Sequence, residues 1–237
     1  MITLLAEPGS LVAGASVLLR EEEGHHLRVR RAEAGAPVRV VDGAGSVGIG
    51  RVILQGGRTV AAIERVEQQP RGPGITLAVG AGDRDRFALV VEKAAEFGAT
   101  EVIPLETERT GSVAGRVRTG AAARLERRAL EAIKQSGAAW APRVREPLPL
   151  AEFAAALPAG TRWLADAGGG DLPRLDAGAV LTLAVGPEGG FTEAERATLL
   201  GAGFIPVRLG PHVLRFETAA IAALTMAWHA RQRDGHG

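Results

Sequence analysis

The sequence predicts an α/β protein in two parts: a small, mainly β unit over residues 1–70, then a parallel sheet covered by helices over 75–237. Two patterns carry that prediction. From Ile75 onward, apolar runs of strand length alternate with stretches whose apolar residues recur at helical spacing, as in a mostly parallel sheet. Before residue 70 the apolar runs are short and separated by Gly-rich turns, the spacing of a small barrel. Between them, Gln68-Gln69-Pro70-Arg71-Gly72-Pro73-Gly74 has the composition of a linker.

In the first unit, strands are expected over 16–20, 38–43, 46–54 and 58–66. Asp42-Gly43-Ala44-Gly45 and Gln55-Gly56-Gly57 read as hairpin connections. A helix over 21–31 interrupts the strands. His25 and His26 within it point about 100° apart and have no third partner, so they mark a helix end and not a metal pair.

The second unit opens with the strand ITLAVG (75–80). A helix from Asp83 to Phe97 follows, with Phe87, Val90, Val91, Ala94 and Phe97 on one face and Gly98 as its closing glycine. EVIPL (101–105) is the next strand, and Glu106-Thr107-Glu108-Arg109-Thr110 is its carboxyl-end loop. Next come a long helix over 120–136, an extended piece near Val144, a helix over 150–157 and the strand TRWLAD (161–166). LTLAV (181–185) then runs into the turn Gly186-Pro187-Glu188-Gly189-Gly190. Thr192 with Glu195 three residues later has capping-box spacing, so a helix starts there. A short strand over 204–209 ends at Gly210-Pro211. The final helix runs from about Leu214 to Arg233, with Leu214, Ile221, Leu224 and Trp228 on one stripe.

Composition narrows the function. The formal net charge of +1 leaves no broad electrostatic footprint for nucleic acid, so arginines that bind RNA must be clustered in space. There are no cysteines, which removes disulfides, thiolate metal sites and cysteine nucleophiles. No metal is expected. The start, MITLLAEPGS, lacks the basic region and long apolar core of a signal peptide, and no apolar run approaches the roughly twenty residues of a membrane span. The expected location is cytoplasmic, with no membrane partner.

Two strands ending in two glycine turns place both turns beyond the carboxyl ends of a parallel sheet, where ligands bind in such folds. A phosphate-binding protein is disfavoured. The spacing at 186–190 is Gly-x-x-Gly-Gly and not G-x-G-x-x-G, and neither Lys93 nor Lys134 follows a glycine as a Walker A motif requires. Gly186-Pro187-Glu188-Gly189-Gly190, then Leu209-Gly210, Leu214-Arg215 and Glu217-Thr218-Ala219, resembles the signature of the SPOUT methyltransferases, and closely that of their ribosomal RNA small subunit methyltransferase E branch. The resemblance covers essentially the whole chain. His25-His26-Leu27-Arg28-Val29-Arg30-Arg31, with Gly35 and residues 38–43, looks like the family's PUA-like domain. Lys93 with Glu96-Phe97-Gly98, Ile103-Pro104-Leu105 with Glu108-Arg109, and Ala132 with Gln135-Ser136-Gly137 match further family segments. The chain departs from the pattern at Arg30, where the family has an aliphatic residue, and at Ala138-Ala139, where it commonly has Arg.

The resemblance implies a trefoil knot over about 181–226 that binds S-adenosylmethionine and releases S-adenosylhomocysteine, behind an RNA-binding PUA-like barrel. It also implies a homodimer, and methylation of N3 of a uridine in 16S ribosomal RNA, in the decoding region of the 30S subunit. The implied cofactor site comprises Leu183, Gly186, Pro187, Glu188, Gly189, Gly190, Leu209, Gly210, Val213, Leu214, Arg215 and Thr218. Its glycines let main-chain groups approach the adenine edge, while Leu183, Leu209, Val213 and Leu214 supply apolar walls. RNA contacts are expected at Arg28, Arg30, Arg31 and Arg109.

Without cysteine, the covalent route to C5 of a pyrimidine is closed. Uridine N3–H must lose its proton before it attacks, and a positioned cation would stabilise the anion. Arg215 and Arg109 are the candidates. Glu188 either accepts a proton or organises its turn through backbone N–H groups. His212, a lone loop histidine, is read as facing solvent. Two rivals remain: a SPOUT enzyme modifying another rRNA or tRNA atom, and a non-catalytic RNA-binding protein. Intact glycines at 186, 189, 190 and 210, with Arg215, count against the second.

Overall fold

The structure is a computed structural model that describes residues 1–19, 23–24, 27, 32–55, 58–110 and 116–234. It divides into two compact units, Met1–Gly72 with Leu130–Ala141, and Pro73–Ala129 with Pro142–Gly237. Leu130–Ala141, read from the sequence as part of the second domain, packs with the first.

The first unit is a five-stranded sheet of β1 (Ile2–Leu5), β2 (Ser16–Leu18), β3 (Pro37–Val41), β4 (Ser46–Gln55) and β5 (Arg58–Gln68), in the order β1-β3-β4-β5-β2. β1 runs parallel to β3; the other pairs are antiparallel. Strand alternation turns Val38, Val40, Val52, Ala61 and Ile63 inward, where they meet Leu4 and Leu27 in one core. The sequence does not announce β1, because its four residues are stabilised by a partner more than thirty positions away and by no local turn. Ile49 pairs with Arg65 and Gly50 with Ile63, so Glu64 is the extra residue of a bulge that bends β5.

The segment from 130 to 141 completes this unit. Leu130 and Ile133 lie over Gly43, and Trp140 Nε1 donates to the Gln69 carbonyl at 2.9 Å. Lys134 Nζ reaches Glu23 Oε1 and Glu131 Oε2 at 2.8 Å each. Burial alone would lower the Lys134 pKa, but its bonds to Glu131 and Glu23 outweigh that and raise it above the ordinary lysine value. His25, His26, Arg28, Arg30, Arg31, Gly56 and Gly57 lie outside the described residues.

The second unit contains β6 (Ile75–Gly80), α1 (Arg84–Glu96), β7 (Glu101–Glu106), a 3-10 turn (Glu108–Thr110), the start of α2 (Ala122–Ser136), β8 (Arg143–Val144), β9 (Leu148–Pro149) and α3 (Leu150–Ala155). β10 (Thr161–Gly170), β11 (Leu181–Val185), α4 (Glu193–Gly201), β12 (Ile205–Val207) and α5 (Phe216–Asp234) complete it. All its strand pairs are parallel, in the order β12-β10-β11-β6-β7-β8, with β9 beside β7. β11 is buried at every position, as expected of a strand covered on both faces. On one face Ala78, Ile103, Leu105, Leu164 and Ala184 pack with Leu150, Phe153, Leu199 and Phe204.

α5 packs beside α1, β6 and β11. It buries Phe216, Ala219, Ala220, Ala223, Leu224 and Ala227, while Trp228 is 52% exposed. The expected stripe through Leu214, Ile221, Leu224 and Trp228 is therefore corrected. Leu214 precedes the helix, and the alanines at helical spacing form the inward face because short side chains admit close neighbours. Among the described residues, no helix is long and apolar enough to cross a membrane.

Candidate functional site

A cavity of about 340 Å³ opens at the carboxyl ends of β10, β11 and β12, within the range of about 300–1,000 Å³ common to small-molecule sites. The strand order builds it. β10 lies between β11 and β12, so the chain passes from one flank of β10 to the other, and the two glycine turns meet over its end. β10 contributes Leu164, Ala165, Asp166 and Ala167; the turn after β11 contributes Gly186, Pro187, Glu188, Gly190 and Phe191. Leu209, Gly210, His212, Val213 and Leu214 follow β12, with Phe216 and Ala219 from α5 and Glu193 and Arg196 from α4.

The turn after β11 is held from three sides. It presses against the end of β6 so closely that a Cβ on Gly80 would lie 2.4 Å from the Pro187 nitrogen. Gly190, at φ +69°, closes the turn with a bond from its N–H to the Pro187 carbonyl at 2.8 Å. Glu188 Oε1 accepts from the Asp83 N–H at 3.1 Å, just ahead of α1. Arg109 Nη1 donates to the carbonyl oxygens of Gly189 and Phe191. Glu195 adds a second tie to the same loop. Its Oε2 accepts from the Thr192 N–H and its Oε1 from the Glu108 N–H, each at 2.8 Å. The first of these bonds belongs to the capping box that starts α4.

One ion pair lies on the cavity wall. Arg196 Nε donates to Asp166 Oδ2 at 2.7 Å, and Asp166 Oδ1 accepts from the Gly168 N–H at 2.8 Å. Burial pushes the Asp166 pKa up, but the bonds from Arg196 and Gly168 overcome it and hold the carboxyl below its ordinary value. Bonding to the same carboxylate raises the Arg196 pKa.

Of the residues expected at the cofactor site, Gly186, Pro187, Glu188, Gly190, Leu209, Gly210, Val213 and Leu214 line the cavity. Leu183, Gly189, Arg215 and Thr218 do not. Leu183 is 1% exposed and pairs with Trp163, one position away from the Ala184–Leu164 pair of the core described above. Gly189 faces Arg109, whose Cδ would lie 3.1 Å from a Cβ there. Arg215 and Thr218 are exposed beyond the lining. Arg109 is bonded to the turn and stands outside the cavity, while Arg28, Arg30 and Arg31 fall outside the described residues. The sequence reading missed Asp166, Phe191, Arg196 and Phe216. Asp166 did leave a trace, as the acid closing the apolar run of β10. His212 is exposed and also borders the cavity. Among the described residues, no group of three or more His, Cys, Asp or Glu side chains is placed to hold a metal.

Residues 69–228 match the profile of the RNA methyltransferase domain, and 19–63 that of the RNA methyltransferase PUA domain. A ribosomal RNA small subunit methyltransferase E from Synechocystis is 32% identical over 231 residues, covering 93% of this chain and 75% of that protein. The chain belongs to the ribosomal RNA small subunit methyltransferase E family. A family member from Mycobacterium bovis is 30% identical over 242 residues, covering 93% of this chain and 91% of its own. Among solved structures, the Neisseria gonorrhoeae family member bound to S-adenosyl methionine is similar with a TM-score of 0.83 at 28% identity, over 95% of this chain and 96% of that one. A Legionella pneumophila protein described as a methyltransferase in complex with bound cofactor gives 0.81 at 27% identity, over 97% of each chain. Membership in the family thus spans both units, and the fold of its members is the fold found here.

Proposed function

We propose that this protein is an S-adenosylmethionine-dependent methyltransferase acting on N3 of a uridine in 16S ribosomal RNA, within the decoding region of the 30S subunit. The observation that carries the reading is the convergence of three parallel strand ends on one cavity with apolar walls and glycine turns. Leu164, Val185, Phe191, Leu209 and Leu214 suit the faces of a nucleoside, and Gly186, Gly190 and Gly210 expose main-chain groups to its edge. A phosphorylated ligand would call for several cations. Among the described residues, Arg196 is the one arginine or lysine in the lining, and part of its charge is already met by Asp166. The residues therefore fit a cofactor without phosphate.

When bound, S-adenosylmethionine supplies a methyl group on a positively charged sulfur. The protein's part is to exclude water, orient the base and favour its deprotonated form. Arg215, exposed next to the lining residue Leu214, is the cation that would neutralise charge gathering on the uracil oxygens as N3–H is lost. Glu188 holds the turn by accepting from the Asp83 N–H and is the acid read as taking the proton. The PUA-like unit grips the RNA, with Arg28, Arg30 and Arg31 as its candidate contacts. The passage of the chain from β11 past β10 to β12 supports the trefoil knot. Val213 at 86% and Trp228 at 52% exposure support a homodimer. A cytoplasmic location follows from the substrate.

The test is transfer from labelled S-adenosylmethionine to undermethylated 30S subunits, with the product nucleoside identified by mass spectrometry. The expected product is 3-methyluridine. Arg215→Ala should reduce kcat by about a hundredfold, the scale of a lost electrostatic stabiliser, with cofactor affinity unchanged. A different methylated nucleoside would move the enzyme to another RNA atom. Failure of both transfer and cofactor binding would remove the enzymatic reading altogether.

A further inference from the structure

Arg196 stands in the first turn of α4, and Asp166 orients it from the end of β10. The geometry leaves part of the guanidinium open. Asp166 has both oxygens engaged, one by Arg196 Nε at 2.7 Å and one by the Gly168 N–H at 2.8 Å. Arg196 is held through Nε alone, and among the described residues its two terminal nitrogens have no protein partner. Its side chain is 37% exposed, against 17% for Asp166, so the cation reaches further out from the wall. The other ionisable groups of the lining are Glu188, Glu193 and His212.

A guanidinium held through Nε presents its two terminal nitrogens as a fork, which matches the two oxygens of a carboxylate. The carboxylate of Asp166 fixes the plane of that fork in advance, which lowers the entropy lost when a ligand docks. The nearby wall carries both signs, Arg196 and Glu193 being three residues apart on one helix. A zwitterionic amino-acid group suits such a wall. A plain nucleoside would leave the fork without a partner.

We propose that Arg196, positioned by Asp166, is the docking point for the α-carboxylate at the amino-acid end of the cofactor. This rests on the reading of the cavity as the S-adenosylmethionine site. The roles differ: Arg196 touches the ligand, and Asp166 acts only by orienting Arg196.

Calorimetric titration with two ligands separates the possibilities. S-Adenosylhomocysteine carries the amino-acid end, whereas 5′-methylthioadenosine has the same nucleoside and thioether without it. Arg196→Gln should weaken S-adenosylhomocysteine about tenfold to a hundredfold, the range for a lost charge-assisted hydrogen bond. It should leave methylthioadenosine within about twofold, and that retained binding also shows that the variant is folded. Arg196→Lys keeps the charge without the fork and should fall between. Asp166→Asn should give a smaller loss, again confined to S-adenosylhomocysteine. Equal weakening of both ligands would overturn the proposal, because Arg196 would then serve the nucleoside end or the cavity as a whole. Unchanged binding of both in Arg196→Gln would overturn it too. If the unmodified protein bound neither ligand, the cofactor reading itself would fail and take this inference with it.

Discussion

Arg109 reaches across 80 positions of sequence to donate to the carbonyl of Gly189, and its second acceptor is the carbonyl of Phe191. The guanidinium thus grips the trailing end of the glycine turn, through Nη1, from outside the cavity. This geometry favours a positioning role for Arg109 over contact with the base. Arg109→Lys, shorter and without a planar end, places its ammonium short of the Nη1 position and should raise the Kd for S-adenosylmethionine roughly tenfold. At saturating cofactor its kcat should move less. A fall in kcat with unchanged Kd would return Arg109 to the catalytic group.

Glu195 joins the same loop to the start of α4. Only 8% exposed, it accepts from two backbone N–H groups in part-buried bonds. Glu195→Ala should cost about 2–3 kcal/mol, as expected when two backbone donors lose one charged acceptor. Glu195→Gln keeps one good acceptor and should recover about half of that. Urea denaturation of the three proteins measures both.

Gly80 marks the closest approach of the turn to the sheet. Gly80→Ala forces a methyl group to within 2.4 Å of the Pro187 backbone unless the turn moves. The expected cost is about 1–3 kcal/mol of stability, typical of overpacking. Cofactor affinity should fall as well, because the displaced turn forms one wall of the site. Thermal unfolding with and without ligand separates the two effects.

What the sequence revealed and what it hid divide along locality. The Thr192–Glu195 capping box, the tight turn at 186–190 and the helix closed by Gly98 each act over a few residues, and each stands where the spacing placed it. Leu183 was beyond such reasoning. LTLAV is buried throughout and has no polar alternation, so nothing in the run says which side chains face the cavity. The Asp166–Arg196 pair spans thirty positions and two separate elements, and only the strand order brings it together. Arg109 was legible as a loop cation, but its carbonyl partners are backbone atoms that carry no residue-specific mark.

In the first unit, Glu23 and Lys134 form a pair with side chains 3% and 14% exposed. Lys134→Met should destabilise the protein by about 3–5 kcal/mol, because it strands the Glu23 carboxylate. Adding Glu23→Leu should restore most of the loss. Since the folded protein raises the Lys134 pKa, the contribution is complete below the unfolded lysine value of about 10.4 and is lost as pH rises through the folded value. Denaturation at neutral pH and at high pH tests the sign.

Asp166 should show the opposite dependence. Its folded pKa is depressed, so its stabilising contribution is present above the unfolded carboxyl value of about 3.9 and disappears as pH falls through the folded value. Asp166→Asn should therefore lower the unfolding temperature at pH 7 and differ less from the unmodified protein towards pH 3. A constant difference across that range would show that the carboxylate charge contributes nothing.

The stretch Leu130–Ala141 gives the chain an unusual genetic grammar. A recombination event that exchanged residues 1–72 alone would import a new sheet but keep the old Leu130, Ile133 and Trp140, shaped to Gly43 and Gln69 of the discarded one. A productive exchange needs three coordinated crossovers, after 72, before 130 and after 141, the second of them inside a helix. Lineages of this protein should therefore inherit the two units together, and homologues that swap the amino-terminal unit should carry matching changes between 130 and 141.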